Sequence, residues 1–68
     1  MKSISGKKFA KILEYHGWRL MRIQGSHYIY AKEGSIVRIS VPVHGNKNLK
    51  HGLLKHFLKL AQLTKQDI

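Results

Sequence analysis

The most constraining feature is a block of three short runs rich in β-branched and aromatic residues: WRLMRI (18–23), HYIYAK (27–32) and IVRISV (36–41). They are divided by Gln24-Gly25-Ser26 and Glu33-Gly34-Ser35. Runs of that length between three-residue turns containing glycine predict an antiparallel meander. Pro42 closes the third run, because it has no N–H to give to a ladder. A helical pattern flanks the block on each side. Ser5 precedes a stretch in which Phe9, Ile12 and Leu13 share one face, and Gly17 offers a C-terminal stop. After the loop VHGNKN (43–48), a second helix is predicted from about Leu49 to Ala61. Its inward side would carry Leu49, Leu53, Leu54, Phe57, Leu58 and Ala61. Thr64 to Asp67 has the spacing of a capping box. The order is α-β-β-β-α, an α+β fold with both helices on one face of a three-stranded sheet. Residues 1–68 are too few for more than one domain.

Turn length also predicts register. A three-residue turn at 33–35 pairs Lys32 with Ile36, Ile29 with Ile39 and His27 with Val41. A one-residue slip would set Val37, Ile39 and Val41 beside Tyr28, Tyr30 and Lys32 instead. The unslipped pairing groups Ile29 and Ala31 with Val37, Ile39 and Val41, which makes the more aliphatic core, and it is the one expected. Extended through the 24–26 turn, it pairs Ile23 with His27 and Met21 with Ile29. His27 should then point to the helix-covered face, at the strand end where the core meets solvent. The open face should collect Trp18, Leu20, Arg22, Tyr28, Tyr30, Arg38 and Ser40. Such a face is either ordinary half-exposed cross-strand pairing or a partner surface.

Charge narrows the partners. Thirteen Lys and Arg against three Asp and Glu give +10 with histidines neutral. That imbalance favours a polyanion, either nucleic acid or an acidic protein. Hydrophobic residues make up 43%, enough for one small core. There is no cysteine, which excludes disulfides and thiolate chemistry. The first residues, MKSISGKKFAKIL, have no apolar run of signal-peptide length, and nowhere does a run approach the ~20 apolar residues of a membrane span. A cytoplasmic protein that does not engage membranes is expected.

Two clusters could carry chemistry. In the first, His27 follows Gly25 and Ser26. At a core rim an imidazole is partly desolvated, which favours the neutral form that acts as a base near pH 7. Gly25 allows close backbone approach, and the Ser26 hydroxyl and N–H can contact a phosphate. A purely structural histidine fits the same position. The second cluster, VPVHGNKNLKHG (41–52), places His44, Asn46, Lys47, Lys50 and His51 in a loop and first helical turn, where free N–H groups favour an anion. A solvated basic loop is the plain alternative. Zinc fits poorly: His51 and His56 are out of step for one helix face, and no cysteine completes a set.

The runs SGKKFAKILEYHGW, GSHYIY and VPVHGNKNL…GLLKHFLKLAQL resemble the HicA toxins of type II toxin–antitoxin systems, over residues 3–63. The resemblance implies a fold like the double-stranded-RNA-binding domain and metal-independent cleavage of mRNA without a cofactor. It also implies that His27, in the family's Gly-Ser-His element, is the catalytic residue. The expected partner is a HicB antitoxin whose partial ribonuclease-H-like domain covers the active region; any DNA binding would come from that antitoxin. Two positions depart from the family. Its second helix usually begins Gly-Thr-Leu, where this chain has Gly52-Leu53-Leu54, and it usually has Gly where Gln62 stands. A non-Gly residue at a left-handed cap costs about 1 kcal/mol. On this reading RNA or its phosphates would meet Gly25, Ser26, His44, Lys47 and Lys50, with Lys47 stabilising charge. A non-catalytic RNA-binding module with the same basic surface is the alternative, and a small DNA-binding protein lacks a recognisable helix-turn-helix.

Overall fold

The computed structural model describes residues 3–68. Its elements are α1 (Gly6–Tyr15), β1 (Arg19–Gln24), β2 (His27–Ala31), β3 (Arg38–Pro42) and α2 (His51–Ala61), followed by a 3₁₀ turn at Lys65–Asp67. The sheet is antiparallel in the order β1-β2-β3, with the helices on one face. This is the α-β-β-β-α arrangement of a double-stranded-RNA-binding-like fold. Both helices bury apolar stripes. Phe9, Ala10 and Leu13 of α1 meet Leu54, Phe57, Leu58 and Ala61 of α2 above Tyr30, Ile39 and Val41. Phe9 and Phe57 stack with ring centroids 5.6 Å apart.

The caps follow from local chemistry. The Ser5 hydroxyl accepts from the Lys8 N–H at 3.1 Å, as the sequence predicts. At the other end of α1 the Trp18 N–H reaches the Leu13 carbonyl at 2.9 Å and the Gly17 N–H reaches that of Glu14 at 3.2 Å. That crossed pair needs a left-handed residue, and Gly17 supplies it at φ 93°. The end of α2 repeats the pattern, with Leu63 bonded to Leu58 and Gln62 to Lys59. Here Gln62 holds φ 58° without glycine's freedom. The capping box at Thr64 and Asp67 is formed.

The register differs from expectation by one residue. Tyr28 pairs with Val41, Tyr30 with Ile39, Ile29 with Ser40 and His27 with Pro42. The second turn is not the three-residue turn 33–35 but a longer connection, 32–37, that leaves Ile36 97% exposed. The first turn is shorter than expected: Gln24 pairs directly with His27 across Gly25 and Ser26. Gly25 takes φ 59° and Ser26 stays at negative φ, the pattern of a type II′ hairpin turn. A bulge between Leu20 and Arg22 absorbs one residue of β1.

The tyrosines are the physical reason. Tyr30 is 1% exposed, and its hydroxyl donates to Glu14 Oε2 at 2.6 Å, so a ring larger than Ile29 is buried with its polar end satisfied. Trp18 is buried as well. Trp18, Tyr28 and Tyr30, expected on the open face, therefore serve the core, and Leu20 pairs with Tyr30 on the helix side. Ile29 and Ala31 point the other way.

Candidate functional site

The register decides where His27 stands. Side chains alternate along a strand, so the pairing turns His27 to the open face, not to the helix-covered rim that the sequence predicts. Its ring is exposed. The residues that share this face follow from the ladder: Gln24 and Pro42 flank His27, Arg22 and Ser40 flank Ile29, and Arg19 and Arg38 flank Ala31. His27 Nδ1 lies 3.3 Å from the Ser40 hydroxyl. A bond at Nδ1 holds the ring and leaves Nε2 free for another partner.

The remaining predicted residues divide among four places. Gly25 and Ser26 form the turn that leads directly into His27. The Ser26 carbonyl accepts from the Val43 N–H at 2.7 Å, which ties the turn to the start of the 43–50 loop. His44, Lys47 and Lys50 line one shallow groove with Pro42, Asn48 and Leu53. Pro42, which lines this groove, is also the cross-strand partner of His27. Gly45, at φ 57°, turns the loop so that Lys47 N–H bonds the His44 carbonyl at 3.0 Å. Asn46 instead lines a groove against α1, with Lys7, Lys11 and Tyr28. His51 Nε2 sits 3.0 Å from the Ser3 hydroxyl, which pins the start of α2 to the amino-terminal segment.

That segment also holds the loop in place. Leu49 N–H bonds the Ile4 carbonyl at 2.8 Å, and Ser5 bridges Asn48. Gly6 packs so tightly that a Cβ there would strike the Pro42 carbonyl oxygen. The groove is therefore built from β3, the amino terminus and α2 together. Among the described residues, no three His, Asp or Glu side chains gather as a metal would require, and no helix is long and apolar enough to cross a membrane.

Sequence reasoning missed Ser40 and Gln24 as neighbours of His27. The signal lies in the alternation of Tyr28 and Tyr30 with His27 and Ile29, a pattern in which aliphatic content alone favours the opposite face inward.

The fold and surface define a small, strongly basic α+β chain with a histidine exposed on an open sheet. A model of the family described as HicA toxin of bacterial toxin-antitoxin matches residues 6–63, from the first residue of α1 to beyond α2. The chain belongs to the HicA toxin family and is the toxin of a toxin–antitoxin system, with an antitoxin as partner. No curated protein matches it closely enough to add a relative.

Proposed function

We propose that this toxin is a metal-independent endoribonuclease that cleaves mRNA, with His27 as its catalytic base. The observation that carries the reading is the placement of His27. Its ring is exposed, it is held at Nδ1 by Ser40, and its cross-strand partner Pro42 lines a groove with His44, Lys47 and Lys50. In the step envisaged, His27 Nε2 takes the proton of a ribose 2′-hydroxyl. That oxygen attacks the adjacent phosphorus, the bond to the 5′-oxygen breaks, and the products are a 2′,3′-cyclic phosphate and a 5′-hydroxyl. Lys47 and the N–H groups of the 25–26 turn offset the charge that builds on phosphorus oxygens, and His44 is assigned the proton given to the leaving oxygen. Ser26 and Lys50 hold neighbouring phosphates. The cytoplasm is the compartment that holds both mRNA and the partner, a HicB-type antitoxin that shields this surface.

Labelled mRNA incubated with the protein in EDTA tests the reading. Fragments ending in cyclic phosphate are expected, and His27→Ala should lower the rate by about 10²–10⁴. Because the ring is exposed, that variant should keep its circular dichroism spectrum and melting temperature. A mobility shift without fragments would make the protein a binder of RNA and end the nuclease reading. A toxic His27→Ala variant would remove the base assignment.

A further inference from the structure

We propose that the open sheet face is the track for a single strand of RNA, which crosses His27 from the cationic groove and continues over Arg22, Arg19 and Arg38. The proposal deepens the nuclease reading and rests on it. The ladder sets basic side chains in successive rows: His27 in one, the cation Arg22 in the next, and the cations Arg19 and Arg38 in the third. Rows two residues apart along a strand lie ~6.7 Å from one another, a step that suits successive phosphates of an extended strand. None of the residues facing outward from these rows is acidic; the one carboxylate nearby, Glu33, lines a groove with Arg19, Arg38 and Lys32 at the third row, where three cations outnumber it. Arg38 is anchored through Nη1 to the Val37 carbonyl at 3.3 Å, which leaves its other donors free for phosphate.

The layout suits a chain that runs through the site, and the chemistry favours one strand over a duplex. An enzyme that cuts within a chain must hold RNA on both sides of the broken bond. His27 has the groove of His44, Lys47 and Lys50 on one side and the arginine rows on the other. In addition, the 2′-oxygen must line up opposite the leaving 5′-oxygen, which an unpaired nucleotide can do and a stacked A-form duplex resists. The open face also lacks the aromatic rings on which single-strand binders stack bases, because Trp18, Tyr28 and Tyr30 are turned toward the core. Recognition on this face is therefore of the backbone, with little preference for base.

A short 2′-O-methyl RNA strand, which has no nucleophilic hydroxyl and stays intact, is the probe, with its blunt duplex as comparison. Binding is read by fluorescence anisotropy from about 50 to about 200 mM salt. The strand should bind more tightly than the duplex. Arg19→Ala, Arg22→Ala and Arg38→Ala should each lower the slope of log K against log salt by ~0.7. Arg-to-Lys replacements should restore it, and Lys55→Ala on α2 should leave it unchanged. Full slopes in the three alanine variants, or tighter duplex binding, would overturn the track. So would alanine variants that weaken only the antitoxin complex, which would assign the face to the protein partner. Cleavage in EDTA is scored separately: fragments with unaltered slopes keep the nuclease and remove the track, whereas arginine-dependent slopes without fragments keep the track and remove the nuclease.

Discussion

Tyr30 shows how much one hydroxyl decides. Its ring fills the space under the helices only because the hydroxyl reaches Glu14 at 2.6 Å. Removing it in Tyr30→Phe should cost about 1 kcal/mol, since Glu14 is exposed and can rehydrate; the urea midpoint measures this. Burial, reinforced by the bond to Glu14 and by its charge, pushes the Tyr30 phenol well above its ordinary 10.0. In the unfolded chain the phenol loses its proton first, so the unfolded state binds fewer protons over that window. The contribution to stability is complete below pH 10.0 and declines as pH rises toward the folded value. Wild type should therefore lose stability above that pH more steeply than Tyr30→Phe, as melts across an alkaline series would show. Trp18 is a contrasting residue. Its indole Nε1 is buried without a hydrogen-bond partner among the described residues, while Lys32 Nζ lies 5.9 Å from the ring centroid. The large apolar ring and the cation above it offset an N–H left without an acceptor.

At the level of elements, both helices end in the same crossed hydrogen-bond motif, but only α1 has glycine at the left-handed position. Gln62→Gly should relieve strain at φ 58° and stabilise the fold by about 0.5 kcal/mol, net of the extra freedom that glycine brings to the unfolded chain. The reverse applies at the start of α1. A methyl at Gly6 would meet the backbone carbonyl of Pro42, which cannot swing aside as a side chain could. Gly6→Ala should cost about 1–3 kcal/mol, and because Pro42 pairs with His27 it should also reduce cleavage in the surviving folded fraction. Equilibrium unfolding and specific activity, measured side by side, separate those two effects. Leu53, where the family usually has a hydroxyl, is half-buried against the core and lines the groove beside Lys50. In place of a hydroxyl, Leu53 adds apolar contact there.

Across the whole molecule, a charge of +10 on 68 residues repels itself. Raising salt from a few millimolar to about 0.15 M, where the screening length is about 8 Å, should raise the melting temperature of the free toxin. The same screening should slow association with an acidic antitoxin, and stopped-flow rates indifferent to salt would rule out electrostatic steering. Apolar spacing, the Ser5 cap, the Gly17 stop and the Thr64 box act between residues close in the chain. The order of elements, the helix ends and the basic character were accordingly legible in the amino acids alone. Which face His27 occupies was not. One residue of slip reverses every side chain of a strand, and the slip was chosen by contacts distant in sequence: Tyr30 with Glu14, the tyrosine rings with both helices, and Gly6 with Pro42. Only the packed molecule could weigh those contacts against the aliphatic alternative, and in doing so it turned the histidine outward, onto the face that carries Arg19, Arg22 and Arg38.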